Sequence, residues 1–360
     1  MSLQQNKSIW CLMLWSRLSR LRSLTEYSSA TQLSSHASIL KRLNHTRMKL
    51  KYLLILSLLV SALLSVAQAA LYTYSADHDV IGENGSYTIQ EGDNFLQLAQ
   101  DLQVGWQELV DANPDIDPWI PHAGDIIVIP TQYVLPTIRE GIVINLAELR
   151  LYYFHPPAMP ADEQRKVSTF AISVGKSDQW STPLAATYIS AKHKRPSWYP
   201  PESIRQEHEE RNDPLPRIVP PGPDNPLGDY SLRLALPGYL IHGTNVPEGI
   251  GMRVTHGCIR MHPIGIEKLF AEVTIKTPVN IINQAYKAGW MDDQLYLEAH
   301  SEIEEQALAA SSNLTEFVQM IIAHTDNAEQ FSYTTFWEQG YQAARNKTGL
   351  PIAVSQRAKK

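Results

Sequence analysis

Short runs dense in apolar and β-branched residues recur between residues 141 and 282. Residues 141–146 (GIVINL) and 149–154 (LRLYYF) are two of them, joined by a turn at Ala147 and Glu148. Residues 167–174, 186–190, 239–242 and 279–282 supply four more. Runs of this length and composition predict strands, and their spacing predicts an antiparallel or mixed β-sandwich. Between them, residues 196–228 carry nine prolines. These exclude a central strand and leave a plain surface loop or a lid over a cleft. Upstream the pattern changes. Tyr87, Thr88 and Ile89 open a strand, and Phe95, Leu98, Ala99 and Leu102 then fall on one helical face, with Asp93 expected as its cap. Trp106, Leu109 and Val110 belong to a second short helix that Asn113 and Pro114 stop, and residues 125–130 form a closing strand. Beyond Ile282 the chain turns acidic and is expected to be helical, with a solvent-facing helix over 301–320 and a frayed QRAKK end. The fold expected is α+β and multidomain: a βααβ unit at 86–131, a mostly-β sandwich at 138–284 and a short helical appendage at 285–360.

The N-terminus and the charge decide where such a protein works. From Met48 the chain reads MKLKYLLILSLLVSALLSVAQAA. Two lysines precede an apolar run over 52–66, and Ala67-Gln68-Ala69 is a small-x-small cleavage signal, so 48–69 is expected to be a signal peptide cut after Ala69. The run falls short of the ~20 apolar residues a spanning helix needs. Residues 1–47, rich in Ser and Arg, fit poorly ahead of it; Met48 as the true start is the expectation, with a genuine extension as the rival. Nine of the 31 Lys and Arg and one of the 37 acids lie in residues 1–69. That leaves 22 bases against 36 acids, a net charge near −14, which disfavours nucleic acid as a partner. Cys11 is lost with the same segment, so Cys258 stands alone in an oxidising compartment and has no partner for an internal disulfide.

Cys258 lies in IHGTNVPEGIGMRVTHGCIRMHP, residues 241–263, with three of the twelve histidines. A free thiol with a pKa of about 8.5 is a few per cent ionised at neutral pH, so a nucleophilic cysteine needs a base or a positive neighbour. His242 and His256 are the candidates. His256 shares a face with Cys258 if the segment is extended, and a hairpin-like return would bring His242 across from the thiol. Gly257 would let the backbone offer amides to a reacting carbonyl, each worth roughly 3–4 kcal/mol in a transition state. Arg253 and Arg260 flank the site and could hold a carboxylate. Two other readings stand beside this one. A lone cysteine is commonly a small buried hydrophobe, and His242, His256, Cys258 and His262 are all zinc-ligand types, although no familiar spacing completes a site.

Two resemblances go further. The stretches YTIQEGDNFLQLA, LVDANP and GDIIVIP within residues 86–130 are similar to a LysM module. That implies binding to the N-acetylglucosamine-containing glycan of peptidoglycan, with Trp119 equally a core residue or a contact. HGTN followed by THGCIRMHP resembles the signature of the YkuD-type L,D-transpeptidases. Gly175-Lys176, Trp180-Ser181-Thr182-Pro183, PPGPDNPLG and the GW and LYLEAH pieces of 289–300 agree with it; Ala185 in place of a glycine and the longer tail depart from it. The likeness spans roughly residues 138–300. It implies Cys258 as nucleophile, His242 as proton acceptor and donor, Gly243 as the carbonyl that orients the imidazole, and His256 as a shaping residue. Arg260, Arg253, Thr255 and Gly257 make up the implied substrate-binding set. No metal or cofactor is implied. The implied reaction releases D-Ala from a tetrapeptide stem, leaves a thioester and transfers the stem to an amine, on another stem or on the terminal lysine of an outer-membrane lipoprotein, in the periplasm. Hydrolysis of the same thioester and a non-catalytic wall-binding role are the alternatives.

Overall fold

A computed structural model describes residues 71–360, apart from 76, 158, 160–162, 177–179, 302–313 and 328. The expected extension and signal peptide at 1–69 lie outside the described residues. No helix among the described residues is long and apolar enough to cross a membrane.

Strands β1 (Leu71–Tyr74), β2 (Val80–Gly82) and β3 (Gly85–Thr88) precede helices α1 (Phe95–Leu102) and α2 (Trp106–Asp111), followed by β4 (Ile126–Ile129) and β5 (Gln132–Val134). β3 pairs with β4 antiparallel, Gly85 opposite Ile129. With the two helices this makes the βααβ order read from the pattern, around Ile89, Phe95, Leu98, Leu109 and Ile127. The cap differs from expectation. Asn94 caps α1, its side-chain oxygen accepting from the Gln97 amide at 2.9 Å. Asp93 stands one residue too early and instead accepts from the Gln90 amide at 2.7 Å and the Tyr87 hydroxyl at 3.0 Å. Trp119 is 59% exposed, with its ring 5.8 Å from that of Trp106, so it is not a core residue.

The next region holds β6 (Gly141–Asn145), β7 (Arg150–Phe154), β8 (Arg165–Gly175), β9 (Ala185–Lys194), helix α3 (Glu202–Glu210), β10 (Tyr230–Leu234), β11 (Leu240–His242), β12 (Arg253–Thr255), β13 (Ile259–Met261), helix α4 (Pro263–Glu272) and β14 (Pro278–Ile282). Hydrogen bonding runs β8-β13-β11-β10-β9-β14-β6-β7 and returns to β8, with β1 and β12 also on β8. The region is β-rich, and of the antiparallel and mixed arrangements expected it has the mixed one, but its edges are joined. The eleven-residue β8 makes the join: Val167 pairs with Phe154 of β7, and Ser173 pairs with Arg260 of β13. Ile142, Ile144, Leu151, Ile172, Leu232 and Ile259 pack in one core. Val143, Tyr152 and Phe154 alternate to the other face and pack with Ile81 and Tyr133. Burial on both faces is why 141–154 reads as an almost unbroken apolar run.

The βααβ unit is joined to this ring by polar contacts. The first two amides of α2, on Trp106 and Gln107, donate to the carbonyls of Ile250 and Gly251 at 3.1 and 3.2 Å. Gly251 is required for so close an approach, since a Cβ there would sit 2.3 Å from the Trp106 nitrogen. Glu108 and Arg150, both buried, form a two-pronged ion pair at 2.7 and 2.6 Å. The Arg150 guanidinium also lies 4.0 Å from the Tyr133 ring centroid.

The C-terminal region corrects the helical-appendage expectation. β15 (Tyr286–Met291), β16 (Gln294–Ala299), β17 (Phe331–Thr335) and β18 (Ile352–Lys359) form an antiparallel sheet in the order β15-β16-β18-β17, covered by helices α5 (Leu314–His324) and α6 (Trp337–Asn346). Residues 302–313 of the expected helix lie outside the described residues. Its described part does face solvent at Thr315, Glu316 and Gln319, but the opposite face is packed, with Phe317 and, one residue beyond the expected end, Ile321 fully buried. The QRAKK end is not frayed: Lys359 pairs with Phe331. Acidic composition suggested exposed helix, whereas partners far along the chain stabilise a sheet. A buried ionic cluster holds this region to the ring, with the Lys287 ammonium 2.5 Å from Glu148 and 2.8 Å from Glu298.

Candidate active site

β11 and β13 are parallel neighbours, with Ile241 opposite Ile259 and His242 opposite Arg260. The return from His242 to Cys258 is therefore a crossover, not the hairpin expected from the glycines of the loop. It leaves His242 at the end of β11 and Cys258 one residue ahead of β13. Both line a cleft of about 550 Å³, together with Trp198, Tyr199, Tyr239 and Arg260.

Between β12 and β13 the chain makes a sharp turn at Gly257, whose φ of +103° suits glycine. Two threonines hold that turn. The Thr255 hydroxyl donates to the Cys258 carbonyl at 2.6 Å and accepts the Gly257 amide at 3.2 Å. The Thr182 hydroxyl donates to the Gly257 carbonyl at 2.9 Å and accepts the Gly175 amide at 2.9 Å. His256 and Cys258 consequently do not alternate along one extended strand. The Gly257 amide is already engaged, which narrows the oxyanion donors expected from this turn.

His242 is buried, and its Nδ1 lies 2.6 Å from the Gly243 carbonyl. A carbonyl only accepts, so Nδ1 carries the proton and Nε2 keeps its lone pair. Burial pushes the imidazole pKa down to about 4, helped by the Arg260 charge and opposed by the Gly243 hydrogen bond. Burial pushes the Cys258 thiol up, against the Leu240 backbone and the Arg260 charge. Both shifts favour the uncharged forms, thiol and neutral imidazole.

Of the other expected residues, Arg260 faces the cleft. Its Nε is buried without a hydrogen-bond partner among the described residues, and burial lowers its pKa. Arg253 does not reach the cleft: it donates to the Leu146 carbonyl at 2.8 Å and does not line the cavity that holds Cys258. Its expected hold on a substrate carboxylate is corrected on that ground; β12 pairs with β8 and sets Arg253 opposite Val174. His256 is turned to Glu207 of α3, Nε2 to carboxylate 2.7 Å, with the Trp180 ring edge-on at 4.8 Å. His262 caps α4, accepting from the Ile264 amide at 3.4 Å. The four residues of the zinc reading are thus not brought together. Among the described residues, the group with ligand atoms in mutual reach is Glu148, Glu298 and His300, and the Lys287 ammonium already contacts both of its carboxylates. Sequence reasoning gave no site role to Thr182, Tyr239 or Glu207. The proline-dense stretch gave no sign that its acidic helix meets a histidine 49 residues on.

Similarity to known proteins covers the region that contains this cleft. Residues 139–281 match the YkuD family model, the L,D-transpeptidase catalytic domain. Probable L,D-transpeptidase YcfS of Escherichia coli (strain K12) is 41% identical over 233 residues, 63% of this chain and 71% of its own length. Probable L,D-transpeptidase YbiS of the same organism is 34% identical over 321 residues, 86% of this chain and 99% of its own. A solved L,D-transpeptidase from Mycobacterium smegmatis covers 46% of this chain and 69% of its own at 15% identity and a TM-score of 0.30, too slight a likeness to carry an argument.

Proposed function

The chain belongs to the L,D-transpeptidase family, and on that premise we propose that Cys258 attacks the carbonyl preceding D-Ala in a peptidoglycan tetrapeptide stem. The observation that carries the reading is the fixed His242 tautomer, with Nδ1 on Gly243 and His242 lining one cleft with Cys258. His242 takes the thiol proton through Nε2 as the sulfur–carbon bond forms. Neutral before the step, the imidazole becomes cationic during it, and the Gly243 carbonyl stabilises that cation. His242 returns the proton to the departing D-Ala amine as the carbon–nitrogen bond breaks, leaving a thioester. An amine then attacks the thioester and the thiol is restored. Because the Gly257 amide is engaged by Thr255, the Cys258 amide is the donor this turn offers to the oxyanion. Arg260 lines the cleft, and its Nε, without a hydrogen-bond partner among the described residues, suits a substrate carboxylate.

The βααβ unit is read as the glycan holder. Exposed Trp119 and Ile120 support it as an apolar contact surface. The acceptor amine belongs to a second stem or to an outer-membrane lipoprotein lysine, and the setting is the periplasm. The test is mass spectrometry of a disaccharide-tetrapeptide incubated with the protein or with Cys258→Ala. Loss of D-Ala together with a cross-linked or lipoprotein adduct, absent in the variant, is the expected result. D-Ala loss without an adduct would make water the acceptor, and product formation by Cys258→Ala would refute the mechanism.

A further inference from the structure

Residues 196–228 form a flap with a stapled base and a charged tip. At the base the Arg195 amide donates to the Asp229 carbonyl at 2.6 Å, and Trp198 and Val219 exchange two backbone hydrogen bonds at 2.9 Å. Asn225, fully buried, donates to the carbonyls of Pro196, Val219 and Pro220 and accepts the Leu227 amide. At the tip, α3 buries no residue. One of its residues nevertheless lines the cleft: Ile204, together with Trp198, Tyr199 and Pro201 from the segment leading into the helix, faces the same cavity as Cys258. A helix with no core of its own stays over a cleft only if something ties it there. The polar tie is Glu207, whose carboxylate meets His256 Nε2 at 2.7 Å, next in sequence to the Gly257–Cys258 turn. Arg211 pairs with the other Glu207 oxygen, which orients the carboxylate. Both Glu207 and His256 side chains are about one-quarter exposed, so the tie is weak and reversible.

We propose that Glu207 is a positioning residue for the reaction: acting through His256, it holds the flap closed over Cys258, and the closed cleft is the form that grips the stem. This rests on the proposed function only for what the cleft holds. A partly exposed contact between a carboxylate and an imidazole shifts a closed–open equilibrium by up to about fivefold. Loss of Glu207 is therefore expected to raise KM for the tetrapeptide substrate about threefold to fivefold, with a smaller change in kcat.

Access to the thiol tests the same latch without turnover. Cys258 is alkylated with iodoacetamide and with a bulky polyethylene glycol maleimide, and the rates are read on the Cys258 peptide. In Glu207→Ala the bulky reagent is expected to react up to about fivefold faster while iodoacetamide changes less. Glu207→Asp should recover part of the difference. Glu210→Ala, exposed on the same helix, should match the parent. Unchanged alkylation by both reagents and unchanged KM in Glu207→Ala would overturn the latch whatever the cleft binds. Turnover that survives Cys258→Ala would overturn the reading of the cleft instead, and the alkylation result would still decide the latch.

Discussion

If the Cys258–His242 pair rests uncharged, the thiol must show the pH profile of an ordinary or weaker acid. A free cysteine with a pKa of about 8.5 is roughly 3% thiolate at pH 7, and burial of Cys258 raises its value. Alkylation by iodoacetamide at pH 7 is then expected at or below about 3% of its alkaline limit. Between pH 6 and 8 it should climb about tenfold per unit, because the rate follows the thiolate fraction. The assay is the second-order alkylation rate at the Cys258 peptide, followed by mass spectrometry from pH 5 to 10. His242→Gln should leave this profile nearly unchanged, since the imidazole does not ionise the resting thiol, and should abolish turnover, since it moves the proton during attack. A thiolate–imidazolium pair would instead give a plateau through neutral pH with a midpoint well below 7, lost in His242→Gln. That result would refute the neutral-pair reasoning, and with it the claim that burial dominates both titrations.

Three further predictions concern the frame. The folded His242 pKa, about 4, lies below the ordinary 6.5, so the unfolded chain binds a proton the folded one refuses. His242 therefore costs no stability above pH 6.5 and removes about 3 kcal/mol as pH falls from 6.5 to 4; urea unfolding of parent and His242→Gln should diverge across that window. Glu108→Gln leaves the Arg150 charge buried without its counter-ion and should cost about 3–5 kcal/mol in the same assay; a loss under 1 kcal/mol would mean that the ion pair does not fasten the βααβ unit. Gly257→Ala must adopt φ +103° with its Cβ 3.1 Å from the Tyr239 ring, a strain of about 1–3 kcal/mol. Turnover should fall at least tenfold while iodoacetamide still reaches the thiol, and full activity would deny the turn its role.

Local chemistry makes much of this protein legible in its sequence. The near-continuous apolar run of 141–154, the two helices of the βααβ unit and the glycine on which the 255–258 turn depends are written by residues within a short stretch, and side-chain periodicity and glycine conformation act over that range. The THGC segment and the histidine upstream of it also stand in the sequence, so the candidate thiol and base can be named from it. What tertiary structure decided involves partners that no local pattern specifies. His242 meets Arg260 through a parallel pairing, which period-two alternation cannot distinguish from an antiparallel one. Glu207 meets His256 and Glu108 meets Arg150 across 49 and 42 residues. An acidic residue on a polar helix looks the same whether it faces water or a histidine. Arg253 and Arg260, seven positions apart, look equally suited to a carboxylate, and only strand register turns one to Leu146 and the other to the cleft. The C-terminal sheet was hidden for the same reason: β16 and β18 lie more than fifty residues apart, and their pairing energy is realised only when folding brings them side by side.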